Sequence, residues 1–233
     1  MSAPQAVILA AGMGTRLGRP LPKPLTVLGD GRTIMQQQLD NIRATFGDAA
    51  EIIIVVGFKM DIVMETFPDV LYAYNQDYDQ TNTSKSLLKA LRLSRAGGVL
   101  WFNGDVVFDA AILDRVKPVM DEDSSFVCVN TAAVGDEEVK YTVDGDGFVQ
   151  ELSKTVVGGA GEAVGINFVS SRDKDVLIQH LEKCDDGDYF ERGIETAIAE
   201  DRLRVRPVDI SDLFAVEVDF EADLLRANSR HQP

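Results

Sequence analysis

A chain of 233 residues with 45% hydrophobic and 26% charged residues has the composition of a globular protein and the length of one large domain. Its formal net charge of −15 repels polyanions, which argues against nucleic-acid binding as a main task. Cys128 and Cys184 are too few for a disulfide framework or a zinc cluster. Without a membrane-length apolar run or a signal-peptide pattern, the sequence predicts a cytoplasmic protein. The sequence does not determine the oligomeric state, and a homodimer is one of the alternatives.

The first predicted element is a short apolar strand at 6–9 that runs into small residues and two glycines. Gly12 and Gly14 allow a sharp turn that brings backbone N–H groups close to a ligand. Such loops bind phosphate groups, because bare amides and nearby cations replace the water that phosphate oxygens lose. Arg16 can grip a phosphate through two N–H groups, and Lys23 adds a compact charge. The residues predicted to contact a nucleotide here are Leu9, Ala10, Ala11, Gly12, Met13, Gly14 and Thr15.

Two better-known glycine loops do not match this segment. The P-loop ending Gly-Lys-Ser/Thr is missing, and Gly12, Gly14 and Gly18 are spaced one residue too far apart for the dinucleotide fingerprint. The segment instead resembles the signature L-A-A-G-x-G-x-R, followed by P-K, of nucleotidyltransferases that activate sugar phosphates and alcohol phosphates. By that resemblance Arg16 and Lys23 are the catalytic cations. A glycine-rich turn with merely solvated cations is the alternative, and the full ordered string disfavours it.

Helical and strand patterns then alternate along the chain. Helical patterns cover 32–46, 60–67, 84–94 and 110–120, and apolar runs typical of strands cover 51–57, 70–74, 99–102 and 125–130. Candidate helix caps are Thr83, Ser84 and Asp109. The alternation predicts an α/β fold with a mostly parallel, Rossmann-like central sheet flanked by helices. Active sites of such sheets lie at the carboxyl ends of strands, where the glycine loop and Asp105 fall.

The pattern changes near residue 136. Strand-like runs at 139–143 and 148–152 flank a glycine-rich turn, which predicts a hairpin over the active site. Helices at 173–182, 189–199 and 221–228 and strands at 203–208 and 214–218 complete one predicted domain over 1–233. Its parts are a nucleotide-binding core at 1–135, an acceptor-side insertion at 136–170 and closing elements at 171–233. His180 and His231 are isolated, and we interpret them as solvated surface residues.

The resemblance implies a GT-A-like fold and a defined chemistry. A phosphate oxygen of the acceptor attacks the α-phosphorus of a nucleoside triphosphate, and pyrophosphate leaves. The acceptor oxygen is already anionic, so the task is to bring two polyanions together with Mg²⁺ and cationic side chains. The resemblance assigns Asp105 and Asp219 to the Mg²⁺ ion. Two carboxylates completed by water and phosphate suit magnesium better than zinc, and Asp219 can also cap the last helix.

The stretch 75–87 narrows the resemblance. It matches the N-x-x-[WY]-x-x-T-N-x-x-x-S-L segment of compact cytidylyltransferases acting on phosphocholine, aminoalkylphosphonates and inositol phosphate. In those enzymes the segment lies beside the cytosine and the acceptor, so Asn82 and Ser86 are expected to contact one of them. Gly57 is expected near the base. A polar loop followed by a helix cap explains the same residues without a ligand.

Later residues resemble the acceptor side of the same cytidylyltransferases. They are Lys140, Lys154, Glu162, Tyr189 and Glu191. Exposed lysines on a hairpin are also ordinary solubilising residues. The resemblance therefore predicts Mg²⁺-dependent transfer of CMP from CTP to a small phosphorylated alcohol, polyol or phosphonate. The alternatives are a sugar-1-phosphate nucleotidyltransferase using UTP, dTTP or GTP, and a non-catalytic nucleotide sensor.

Overall fold

The computed structural model describes residues 4–229 except 133, 134, 136 and 137. The strands within this part of the chain are β1 (Gln5–Ala10), β2 (Glu51–Val56), β3 (Leu71–Tyr74), β4 (Val99–Asn103), β5 (Val106–Phe108), β6 (Phe126–Asn130), β7 (Lys140–Val143), β8 (Val149–Ser153), β9 (Gly161–Val169), β10 (Arg206–Asp209) and β11 (Ala215–Glu217). The helices are α1 (Ile34–Phe46), α2 (Met60–Thr66), α3 (Thr83–Leu93), α4 (Ala111–Asp121), α5 (Lys174–Lys183), α6 (Phe190–Asp201) and α7 (Glu221–Ser229).

The main sheet has the strand order β10-β6-β9-β4-β1-β2-β3. Strands β4, β1, β2 and β3 are parallel, and β10 is parallel to β6, whereas β9 is antiparallel to both β4 and β6. The predicted mostly parallel sheet flanked by helices is confirmed. The hairpin of β7 and β8 is also confirmed, and it joins the sheet through pairing of β7 with β9.

The core lies on both faces of this sheet. Along β1, Ala6, Ile8 and Ala10 face one apolar layer, whereas Val7 and Leu9 face the other. Side chains alternate across a strand, so a continuous apolar run is what a strand covered on both faces requires. The chain therefore passes directly from the buried carboxyl end of β1 into the glycine loop.

A second, two-stranded sheet differs from the sequence prediction. The closing strand that the sequence predicts at 214–218 is present as β11. It pairs antiparallel with β5, a strand that the sequence did not predict, and not with the main sheet. The Val218 N–H donates to the Asp105 carbonyl at 3.0 Å just beyond this pairing. The short sheet thereby brings the 217–219 segment to the end of β4.

Both capping predictions, for α3 and for α4, are wrong. Asn82, not Thr83 or Ser84, caps the helix, because its Oδ1 accepts from the Thr83 N–H at 2.8 Å. Ala110 occupies the cap position of α4 without a side-chain cap, and Asp109 Oδ2 instead accepts from the Phe214 N–H at 3.2 Å.

The prediction of a solvated His180 is also wrong. Its side chain is buried between α5 and α6, with Nδ1 2.9 Å from Thr196 Oγ1 and Nε2 2.8 Å from Asp201 Oδ2. His231 lies outside the described residues. In the described part of the chain, the helices are too short or too polar to cross a membrane.

Candidate active site

The glycine loop folds back over the segment that carries Lys23. Gly14 has a φ of 59°, in the left-handed region, and a Cβ built there would lie 2.9 Å from the Lys23 Cβ. Any side chain at this position would therefore meet both an unfavourable backbone conformation and a steric contact. Lys23 itself begins a buried 3-10 turn, Lys23–Leu25, which fixes the direction of its side chain.

Four charged groups meet below this loop. Lys23 Nζ donates to Asp105 Oδ2 at 2.8 Å and to Asp219 Oδ1 at 2.5 Å. Arg16 Nη1 donates to the other Asp219 oxygen at 2.9 Å. The Lys23 side chain is only 10% exposed, whereas that of Arg16 is 48% exposed. The cations and carboxylates that the sequence predicted as one site are thus in contact.

The electrostatics favour the charged forms of Lys23 and Asp219. Burial lowers the pKa of Lys23, but the charges and hydrogen bonds of Asp105 and Asp219 outweigh it, so the net pKa shift is upward. Burial raises the pKa of Asp219, but Lys23 and Arg16 outweigh it and the net shift is downward. At neutral pH the lysine is an ammonium ion and this aspartate is a carboxylate.

The donor set fits a divalent cation that is shared with a substrate. No group of three or more potential metal ligands occurs among the residues that the structure describes. Asp105 and Asp219 can supply two hard oxygen donors, and Mg²⁺ characteristically combines one or two carboxylates with phosphate oxygens and water. The ammonium of Lys23 already shows that a cation is accommodated between these two carboxylates.

A cleft of about 290 Å³ surrounds the cluster. The predicted site residues that line it are Leu9, Ala10, Gly12, Gly14, Arg16, Lys23, Asp105, Lys154, Tyr189, Glu191 and Asp219. The structure therefore brings the glycine loop, the aspartates and part of the predicted acceptor side into one space. Residues 9 and 10 come from the carboxyl end of β1, and the carboxyl ends of parallel strands are where active sites of such sheets lie.

The predicted nucleotide contacts Ala11, Met13 and Gly57 are not among the described residues that line the cleft. The Ala11 carbonyl accepts from the Phe58 N–H at 3.0 Å, which joins the loop to the end of β2. A Cβ on Gly57 would lie 2.5 Å from the Tyr78 Cβ, so this glycine allows close packing there. Met13 is exposed on the loop, and Thr15 begins the 3-10 turn Thr15–Leu17.

Asn82 and Ser86 have structural hydrogen bonds. Besides its capping bond, Asn82 donates through Nδ2 to the Gly187 carbonyl at 3.2 Å. Ser86 is buried, and its Oγ accepts from Asn75 Nδ2 at 3.1 Å. Thr83, between them, lines the cleft instead. A ligand contact from Asn82 or Ser86 stays a prediction.

A second recess of about 180 Å³ adjoins the cleft and shares Arg16, Lys154, Glu217 and Asp219 with it. Glu162 lines this recess, where its Oε2 accepts from the Gly135 N–H at 2.9 Å. Lys154 follows β8, and its Nζ lies 5.0 Å from the centre of the Tyr189 ring. Lys140 pairs with Glu162 in the β-ladder and does not belong to the lining of either space.

Asn103 and Glu217 are polar residues of the cleft lining for which the sequence predicted no role. Asn103 Nδ2 donates to Glu217 Oε1 at 3.0 Å. Burial and the neighbouring charge of Asp105 raise the pKa of Glu217 well above its usual value, against the effect of this hydrogen bond. Glu217 and Asp219 are two residues apart in an extended segment, so strand periodicity could have placed both on one side.

Comparisons with known proteins agree with this geometry. The family model of the MobA-like NTP transferase domain matches residues 6–175. The CMP-5'-(3-aminopropyl)phosphonate synthase of Streptomyces rubellomurinus is 28% identical over 253 residues, covering 98% of this chain and 39% of that protein. The chain spans about two fifths of that protein's length and still less of several other relatives. Sugar-phosphate nucleotidyltransferases also occur among the similar proteins.

Solved structures share the fold over nearly the whole chain, among them the two described next. The inositol-1-phosphate CTP transferase from T. maritima has a TM-score of 0.79 at 14% identity, covering 99% of this chain and 96% of that chain. The CTP:phosphocholine cytidylyltransferase from Streptococcus pneumoniae has a TM-score of 0.75 at 20% identity, covering 99% and 100%. The resemblance predicted from the glycine loop is thus confirmed, and the chain belongs to the family of MobA-like NTP transferase domains, which are nucleotidyltransferases.

Proposed function

We propose that this chain is a Mg²⁺-dependent cytidylyltransferase that transfers CMP from CTP to a small phosphorylated alcohol, polyol or phosphonate. The observation that carries the proposal is the contact of Lys23 with both Asp105 and Asp219 directly below the glycine loop. The similarity to a CMP–aminopropylphosphonate synthase over almost the whole chain supports CTP and a phosphonate-type acceptor.

The proposed reaction needs charge neutralisation rather than a strong base. An acceptor oxygen forms a bond to the α-phosphorus of CTP, the bond from that phosphorus to the bridging oxygen breaks, and pyrophosphate leaves. Backbone amides of the glycine loop bind the triphosphate, and Lys23 and Arg16 neutralise the charge that builds up on it. Asp105 and Asp219 would hold Mg²⁺, which supplies positive charge to the phosphate oxygens when bound. Lys154 lines both spaces, and in this proposal it would bind the phosphate or phosphonate group of the acceptor.

Pyrophosphate release tests the proposal directly. CTP, UTP, dTTP and GTP are each assayed with Mg²⁺ against 2-aminoethylphosphonate, phosphocholine, inositol-1-phosphate, glycerol-3-phosphate and glucose-1-phosphate. Turnover with CTP and a non-sugar acceptor supports it. Turnover limited to another nucleotide with glucose-1-phosphate would instead make this a sugar-1-phosphate nucleotidyltransferase. Nucleotide binding without turnover on any acceptor would indicate a nucleotide sensor.

A further inference from the structure

Glu191 is a buried carboxylate in the wall of the cleft. It lies in the first turn of α6, and the residue is only 7% exposed. Its Oε2 is buried and has no hydrogen-bond partner among the described residues. It lines the same cleft as Lys23 and Asp105. Burying a carboxylate without a partner is unfavourable, so such a group at a substrate cleft indicates a ligand that provides the partner.

The surrounding contacts hold this side chain in place. The Phe190 N–H donates to Thr83 Oγ1 at 3.1 Å, which ties the start of α6 to the start of α3. The ring of Phe190 packs edge-on against Trp101, with ring centres 5.6 Å apart. Glu191 therefore projects from an anchored helix turn, as a residue that selects a substrate should.

The charges around Glu191 leave it short of positive neighbours. No ion pair to a Lys, Arg or His nitrogen forms within 4.0 Å of it in the described part of the chain. Burial raises the pKa of Glu191 to about 7, although its own amide and the charge of Lys154 oppose this shift. A cation brought into contact would stabilise the ionised form.

The unpartnered oxygen of Glu191 restricts what the acceptor can be. The part of the acceptor next to Glu191 is bound best if it carries positive charge, because a cation favours the ionised carboxylate that burial disfavours. A quaternary ammonium has no N–H groups and prefers aromatic faces. Here Lys154 already lies over the Tyr189 ring, and Phe190 is buried against Trp101. The unpartnered carboxylate oxygen suits a primary ammonium, which can donate hydrogen bonds to it.

We propose, resting on the proposed function, that Glu191 is a specificity-determining residue that binds a primary ammonium group of the acceptor. The substrate class is then an aminoalkyl phosphate or aminoalkylphosphonate. The phosphate or phosphonate end lies toward Lys23 and Lys154, and the ammonium end lies at the start of α6.

Wild-type kinetics with CTP and Mg²⁺ provide the first test. The acceptors are 3-aminopropylphosphonate, propylphosphonate without the amine, and the N,N,N-trimethyl derivative of the amine. A site built to hydrogen-bond a substrate group discriminates strongly against analogues that lack it. We expect kcat/KM to fall at least about 100-fold for both analogues.

The second test replaces the carboxylate by an amide of the same shape. Glu191→Gln should lower kcat/KM for 3-aminopropylphosphonate about 100-fold, mainly through KM, and reduce the preference over propylphosphonate to a few-fold. The KM for CTP should stay within about threefold. Glu195→Gln is the matched control, since Glu195 lies one turn further along α6, where it pairs with Arg192 outside the cleft.

The outcomes separate this inference from the proposed function. CTP turnover without preference for the amine, or faster turnover of the trimethyl analogue, overturns the inference and leaves the cytidylyltransferase in place. If Glu191→Gln lowers kcat/KM equally for acceptors with and without the amine, Glu191 acts through Lys154 and not by binding the ammonium. That result also overturns the inference. No CTP turnover with any acceptor by the folded wild type contradicts the proposed function and the inference together.

Discussion

The ammonium of Lys23 lies 2.5 Å from Asp219 Oδ1, although 196 positions separate the two residues in the sequence. The same ammonium contacts Asp105, so one buried cation joins the end of β4 to the segment after β11. A single lysine therefore holds together two carboxylates that would otherwise repel each other. It occupies the space between two groups that we assign to a metal ion.

Lys23→Ala should lower turnover by about two orders of magnitude or more, because it removes charge stabilisation of the reacting phosphates. Steady-state pyrophosphate release with CTP measures the effect. Lys117→Ala is the control, since Lys117 forms an exposed i,i+4 pair with Asp121 on α4. Near-full activity in a folded Lys23→Ala variant would show that the cation assignment is wrong.

Asp105→Asn should cost about two or more orders of magnitude in turnover, with a higher Mg²⁺ requirement than in the wild type. The change keeps the size of the side chain and removes its charge. Titrating Mg²⁺ at saturating CTP separates a metal defect, which excess metal partly relieves, from a folding defect, which it does not. A variant with an unchanged Mg²⁺ dependence would contradict the role of Asp105 as a ligand.

Lys23 and a divalent cation should compete for the same two carboxylates when no nucleotide is present. Lys23→Met removes the ammonium and keeps an apolar stem, so Asp105 and Asp219 should bind Mn²⁺ at least about tenfold more tightly than in the wild type. Titration calorimetry of the nucleotide-free proteins measures this. Equal or weaker Mn²⁺ binding by Lys23→Met would refute the competition.

Gly14→Ala should destabilise the fold by about 1–2 kcal/mol and reduce turnover, because alanine at a φ of 59° is strained and its Cβ meets Lys23 at 2.9 Å. Urea unfolding and pyrophosphate release measure the two effects. Gly145→Ala, in the hairpin turn, is the comparison, since a Cβ there meets no atom within 4 Å. Similar losses in both variants would argue against a special role for the glycine loop.

Glu191 makes stability depend on pH in a defined direction. Burial raises its pKa from 4.5 to about 7, so between these values the folded protein retains a proton that the unfolded chain has released. Stability from this group therefore falls as pH rises through that window, by up to about 3 kcal/mol. Glu191→Gln does not titrate, so its stability relative to the wild type should increase from pH 4.5 to pH 8.

Urea unfolding of wild type, Glu191→Gln and Glu195→Gln at a series of pH values tests this sign. The Glu195 variant serves as the control for groups that titrate elsewhere, since the half-buried Glu195 carboxylate is in an ion pair with Arg192 on the same helix. A stability of Glu191→Gln relative to the wild type that falls or stays constant as pH rises would contradict the raised pKa of Glu191 in the folded protein.

Local patterns predicted much of the fold and several of the residues that meet at the candidate site. The glycine loop, Lys23 and Asp105 were found because short spacings encode a turn, a charge and a strand end. The strand at 214–218 was predicted, but its pairing with β5 was missed because a three-residue strand such as β5 carries too little periodicity to be recognised. The burial of His180 was missed because its partners Thr196 and Asp201 belong to a different helix.

By itself the sequence determined the α/β class, the glycine loop and the residue types that can hold a nucleotide and a metal, since each depends on neighbours along the chain. Only the tertiary structure decided that Lys23 lies between Asp105 and Asp219, that Asn82 caps a helix, and that Glu191 Oε2 is buried without a hydrogen-bond partner among the described residues. Those relations depend on distances and solvent exposure between segments remote in sequence. Burial and pairing set the energies of charged groups, and both arise only when the sheet, α3 and α6 pack together.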